Sequence, residues 1–303
     1  MKRVISLFDG MSCCQIALNR LGVKDFQYYA SEIEVGPISV TQRNFPNTIQ
    51  VGDVRDFKVK NIQQVFLVTG GSPCQSFSFA GKCKGMVTTT NEEITTLKQY
   101  LKLKKEGFEF EGQSYLFWEF VRVVRESKTK YFLLENVLMA KKWEDVISKE
   151  LGVLPIHINS NLVSGQNRDR LYWTNIPGVS QPKDKGITFD TISGGKGAGK
   201  RGVWNNELGK YVRRFTVRQD GKSNCLVTSP SSTNLVELPN GKVRVCTIEE
   251  AEVLQTVPVG YTNVPGVTKT ARYKMLGNGW TVDVIKHILK NIVKKRELVE
   301  EII

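Results

Sequence analysis

Histidine is scarce in this sequence, with only His157 and His287 among 303 residues. The six cysteines, Cys13, Cys14, Cys74, Cys83, Cys225 and Cys246, form no C-x-x-C pair. A zinc site is therefore not expected from ligand spacing, nor a disulfide framework from thiols so scattered in a cytoplasmic chain. No apolar run approaches the ~20 residues that cross a bilayer. The start, Met1-Lys2-Arg3, is basic, but Val4 to Phe8 is too short for a signal segment and runs straight into Asp9-Gly10. No internal repeat is visible. These absences lead us to expect a cytoplasmic monomer that needs neither metal nor membrane.

What is present is ordinary for a globular protein, with 40% hydrophobic and 24% charged residues. The length suits one large α/β domain and a small second one. A net charge of +13 and a pI near 9.4 would draw in a polyanion. A basic surface that only aids solubility is the plainer alternative.

The first half alternates short apolar runs with helical patterns. Val4 to Phe8, Phe26 to Ala30, Val65 to Val68 and Tyr131 to Leu134 read as strands. Gln15 to Leu21, the stretch through Ile38, Val40 and Phe45, and the stretch from Leu116 to Val124 read as helices. This alternation implies βαβ units and a mostly parallel sheet, with ligands bound beyond the carboxyl ends of the strands. From 178 to 246 the pattern becomes Gly-rich, basic and loop-like, with strand-like pieces at Lys222 to Thr228 and Lys242 to Cys246. We read it as a small inserted domain between a core of 1–177 and a completing segment of 247–303. The polar stretch from Val87 to Glu111 looks like a loop insertion, and Thr281 to Val293 like a closing helix.

The strand ends carry the chemistry. The first runs into Phe8-Asp9-Gly10-Met11-Ser12, where Ser12 and Gln15 fit a capping box. A helix N-terminus there would face an anionic group, such as the carboxylate of a methionine moiety. A complete G-x-G-x-x-G is lacking, which argues against a dinucleotide site and an oxidoreductase. Glu32, twenty-two positions after Gly10, is placed to accept from the ribose hydroxyls of an adenosine, or merely to start the next helix. Asp53 either accepts from an adenine amino group or is a turn aspartate. The fourth strand ends in Gly70-Gly71-Ser72-Pro73-Cys74-Gln75-Ser76. A thiol on a turn stiffened by proline suits a nucleophile that must both attack and depart. Glu135, after the fifth strand, either delivers a proton to a bound base or starts a helix. Arg168 and Arg170, two apart, share one face and either aim at the site or lie on a solvated edge.

Phe8-Asp9-Gly10, Gly71-Ser72-Pro73-Cys74-Gln75, Glu135-Asn136-Val137, Gln166-x-Arg168-x-Arg170 and Leu276-Gly277-Asn278 occur in the order shown by cytosine-5 DNA methyltransferases. The chain resembles that family over nearly its whole length, phage and bacterial members most, while Gly279 to Val282 is similar to the animal de novo class. The resemblance implies a Rossmann-like α/β sheet dependent on S-adenosylmethionine (S-adenosyl-L-methionine), with a small inserted target-recognition domain. It implies double-stranded DNA as partner and methyl transfer to C5 of a flipped cytosine through a Cys74 adduct at C6. Glu135, Arg168 and Arg170 complete the implied catalytic set. Implied cofactor contacts are Phe8, Asp9, Gly10, Met11 and Ser12, then Glu32 and Ile33, Asp53 and Val54, and finally Pro73, Asn278 and Trp280. DNA contacts are expected from Gln75, Ser76, Lys196, Lys200, Arg201, Arg213, Arg214 and Arg218.

Four features depart from the family pattern: Cys14, the long 87–111 segment, Gln113, and Val253 in place of an arginine. They leave room for a modified alkyl donor. A degenerate relative that binds DNA without methylating it, and an RNA cytosine-5 methyltransferase, are also compatible with the motifs.

Overall fold

A computed structural model describes residues 1–73 and 85–293, with the side chain of Arg201 outside that set. One sheet is built from β1 (Lys2–Leu7), β2 (Phe26–Ser31), β3 (Ile49–Gln50), β4 (Val65–Gly70), β5 (Tyr131–Asn136), β6 (Ile156–Asn159) and β7 (Asp169–Thr174). Its order is β3-β2-β1-β4-β5-β7-β6. The first five strands in that order run parallel, whereas β7 is antiparallel to both β5 and β6.

The apolar runs form strands because both sheet faces are covered. Val4, Leu67 and Leu133 join one core, and Ile5, Val68 and Leu134 join the other. The first core is closed by α1 (Cys13–Arg20), α2 (Val35–Asn44) and, from the distal part of the chain, α7 (Ile248–Leu254), α8 (Lys269–Asn278) and α9 (Val282–Leu289). The second is closed by α3 (Leu97–Lys105), α4 (Phe117–Ser127) and α5 (Lys141–Leu151). Strand order reverses between β1 and β4, which opens a crevice at their carboxyl ends.

The stretch from Val87 to Glu111 is more than a loop insertion. Its helix α3 is capped by the Thr96 side chain, and Tyr100 and Leu103 are buried against α4. The Tyr100 hydroxyl donates to Glu119 at 2.6 Å, while Lys104 and Arg122 hold the same buried carboxylate at 2.7 and 2.6 Å.

After α6 (Asp190–Ser193) come β8 (Lys196–Asn205), β9 (Lys210–Val217), β10 (Leu235–Glu237) and β11 (Val243–Val245). They form an antiparallel sheet in the order β11-β10-β8-β9. Two local expectations are corrected here. The Gly/basic stretch is largely strand β8, because a Cβ at Gly197 would lie 2.5 Å from the Lys222 carbonyl oxygen, and one at Gly199 2.7 Å from that of Thr233. Glycine there permits close backbone approach rather than a loop. Conversely, Lys222 to Thr228 is not a strand. It touches the core through a bridge between Gln166 and Ser223.

Candidate active site

The turn after β1 is tightly wound, with Phe8, Gly10 and Ser12 all left-handed at φ 55°, 57° and 60°. Such backbone strain in non-glycine residues gathers at functional sites. The expected Ser12/Gln15 capping box is absent. A left-handed Ser12 aims its hydroxyl back at the Asp9 carboxylate, and Gln15 Nε2 donates to Thr48 at 2.8 Å instead. A capping box does occur at Thr247 and Glu250. Ser12, expected among the cofactor contacts, is fully buried and does not line the crevice. Asp9 also accepts from the Tyr28 hydroxyl at 2.7 Å. Burial pushes its carboxyl up to about 6, against the pull of those hydroxyls.

Glu32, at the end of β2, turns one oxygen to the Gly10 amide at 2.9 Å and the other to the amides of Ile33 and Glu34 at 2.7 and 2.9 Å. These bonds tie the first two strand ends together. Asp53 is gripped by Arg55, whose Nε lies 3.0 Å from both carboxylate oxygens. Those hydrogen bonds hold the Asp53 carboxyl below the usual range. Reaching an adenine amino group would thus require Asp53 to share itself with Arg55.

At the end of β5, Glu135 is 7% exposed and held from two sides. Arg170 Nε stands 2.9 Å from Oε1, and Trp280 Nε1 donates to Oε2 at 3.2 Å. Beside it Asn136 Nδ2 donates to Ser72 Oγ at 3.1 Å, so the strand end leading to Cys74 is fastened to β5. Arg168 is 3% exposed and spends its guanidinium on backbone, donating to the carbonyls of Leu226 at 3.4 Å, Gly277 at 3.1 Å and Gly279 at 2.8 Å. It therefore clamps the seam between the core, the 218–229 segment and the α8–α9 turn.

These strand ends surround one crevice of about 500 Å³, within the usual range for small-molecule sites. Phe8, Asp9, Gly10 and Met11 line it, as do Glu32, Ile33, Asp53 and Val54. So do Pro73, Asn278 and Trp280, together with Glu135, Arg168 and Arg170. Cys74, Gln75 and Ser76 lie outside the described residues. Sequence reasoning missed Arg55, Tyr115 and Lys274 in the same wall. Only the spacing of Asp53 and Arg55 offered a signal.

The basic residues of the small sheet lie apart from the crevice. By ladder register, Lys200 opposite Phe215, Gly202 opposite Arg213 and Trp204 opposite Tyr211 share one face. Arg214 belongs to the other, with Arg201 as its ladder partner. Lys196, Lys200, Arg213 and Arg214 are exposed. Arg218 is held by Asp220 and by Asn224 at 3.2 Å. Among the described residues no helix is long and apolar enough to cross a membrane, and no group of three or more His, Cys, Asp or Glu residues could hold a metal ion.

The sheet order, with a crevice at its switch point, is a Rossmann-like α/β fold of the type seen in S-adenosylmethionine-dependent methyltransferases. The family model for C-5 cytosine-specific DNA methylases matches residues 2–151 and 157–294, and the chain belongs to that family. It is 23% identical over 337 residues to type II methyltransferase M.Bsp6I of Bacillus sp. (strain RFL6), covering 97% of this chain and 99% of that one. Orphan methyltransferase M.SPRI of Bacillus phage SPR is 30% identical over 189 residues, 56% of this chain but 36% of the phage protein. Among solved structures, a mutant of DNMT2 from Spodoptera frugiperda superposes with a TM-score of 0.66 at 16% identity, over 97% of this chain and 100% of that one. The Dnmt2 methyltransferase of S. pombe gives 0.67 at 14%, over 99% and 100%. At such identities the structures speak for the fold alone.

Proposed function

We propose that this enzyme methylates carbon 5 of cytosine in double-stranded DNA, with Cys74 as nucleophile and S-adenosylmethionine as donor. The observation that carries the reading is the Glu135 carboxylate, held between Arg170 and Trp280 beside the strand end that leads into Cys74. In the reaction, Glu135 contacts N3 and the exocyclic amine of a cytosine taken out of the duplex stack. The Cys74 thiolate forms a bond to C6 as Glu135 gives a proton to N3, leaving C5 rich in electrons. After methyl transfer, loss of the C5 proton to a base restores the C5–C6 double bond and expels the thiolate, while N3 returns its proton to Glu135. Arg170 orients Glu135, and Arg168 keeps the α8–α9 turn, and with it Trp280, in place.

The crevice fits the donor in size and in donor and acceptor set. Glu32 would take the ribose, Phe8 and Trp280 the adenine faces, and the Asp9–Met11 backbone the methionine end. When bound, S-adenosylmethionine supplies a sulfonium methyl that electron-rich C5 attacks. We assign 1–177 and 247–303 to the catalytic core and 178–246 to target recognition. An exposed sheet face bearing Lys200, Arg213, Trp204, Tyr211 and Phe215 suits a nucleic acid by charge and by stacking.

The test is transfer of labelled methyl to unmethylated duplex DNA and, in parallel, to tRNA transcripts. DNA should be labelled by the wild type and not by Cys74→Ala. Labelling of tRNA alone would replace the substrate, and no labelling of either would overturn the reading.

A further inference from the structure

Cys225 stands on the irregular segment between β9 and β10. Its sulfur meets two guanidinium groups of the catalytic crevice, Arg168 Nη1 at 3.4 Å and Arg170 Nη2 at 3.9 Å. Both arginines also serve the site directly, Arg170 through Glu135 and Arg168 through the carbonyls of Gly277 and Gly279. The sulfur thus sits where a negative charge would compete with Glu135 for the same cation. We propose that Cys225 is a positioning residue that, as a thiolate, divides the positive charge of Arg168 and Arg170 and so sets how strongly Arg170 acts on Glu135. The proposal rests on the role given above to Glu135.

Two guanidiniums face the sulfur, against a single carbonyl, that of Leu226 at 3.5 Å, to which a neutral thiol donates. Burial opposes ionisation of the Cys225 thiol, but the Arg168 and Arg170 charges outweigh it, and the group is held below the ordinary thiol range. The other described cysteines go the opposite way. Burial pushes Cys13 and Cys14 up to about 12 and raises Cys246 as well. Of the other titratable groups near this cluster, Cys13 on α1 and Tyr172 on β7 are both shifted upward by burial and remain neutral at working pH. Asn234, which donates to the Cys225 carbonyl at 3.1 Å, has no charge. Arg168, Arg170, Glu135 and Cys225 are therefore the groups whose charges set the balance.

The test compares the pH dependence of methyl transfer in the wild type, Cys225→Ser and Cys225→Asp, each checked for a cooperative melt. Serine keeps the shape and removes the charge. Arg170 then acts undivided on Glu135, and the alkaline limb of the kcat profile should move to lower pH, while KM for DNA stays within about twofold. Aspartate restores a negative charge and should return the limb toward the wild-type position. A serine variant with the wild-type profile would overturn the proposal. So would a folded aspartate variant that is worse than serine. Independently, iodoacetamide labelling of Cys225 in the wild type, followed by peptide mass spectrometry across pH, should persist below the range where an ordinary thiol stops reacting. Labelling that titrates like an ordinary thiol also overturns it. This second measurement needs no methyl transfer, so it separates failure of this proposal from failure of the function above.

Discussion

Trp280 Nε1 donates to Glu135 Oε2 across 145 residues of sequence, and Gly71 lies directly beneath the pair. A Cβ at position 71 would stand 2.9 Å from Trp280 Nε1 and 3.2 Å from Glu135 Oε2. Gly71→Ala should therefore displace the pair, with a small effect on the core against which Trp280 packs. We expect at least a tenfold fall in methyl transfer with a melting temperature within a few degrees of wild type. Activity close to wild type would show that the pair tolerates the shift.

Glu135→Gln keeps the size of the side chain and, on the proposed mechanism, removes the proton donor. Transfer should fall by on the order of 10²–10⁴, while DNA binding in a gel-shift assay stays near wild type. Loss of binding in step with activity would point to a structural role.

Glu119 is fully buried and bonded to Tyr100, Lys104 and Arg122. Glu119→Ala leaves the Arg122 charge without this partner and should cost about 3–5 kcal/mol in denaturant unfolding. Hydrogen exchange should show α3 loosening first, because two of its anchors end on this carboxylate. An unchanged unfolding midpoint would mean the cluster adds nothing to stability.

Asp9 carries a pH prediction with a definite sign. Its carboxyl is raised by burial to about 6 from 3.8, so the native state holds the proton more tightly than the unfolded chain. The stabilisation this gives is complete below about pH 4 and is lost as pH rises through 6. Asp9→Asn, which cannot ionise, should gain on the wild type between pH 4 and 7 by up to roughly 3 kcal/mol. Melting curves of both proteins across that range check it, and parallel curves would refute it.

The strands at Val4, Val65 and Tyr131 are legible because each is buried on both faces and shows a run that is apolar except for Ser6 in the first. The short strands β3 and β6 carry too few apolar residues to stand out. Around the site, the strand-end rule located Glu32, Asp53 and Glu135, since it depends only on where strands stop. It put Ser12 in a capping box that does not form, because its left-handed backbone sends the hydroxyl away from the helix amides. It was silent on Arg55, Tyr115 and Cys225, which reach their places through tertiary packing. Strand β8 misled because its glycines serve the approach of another backbone, and composition alone cannot tell that from a flexible loop.

Asn278, Gly279 and Trp280 form one wall of the crevice, yet they arrive long after the strands they face. While the chain is being synthesised, β1, β4 and β5 can pair well before this wall emerges. During that interval Glu135 lacks its indole partner and Arg168 lacks two of the carbonyls it clamps. A nascent polypeptide still tethered to the ribosome short of residue 280 should thus be unable to transfer methyl groups, however complete its first sheet.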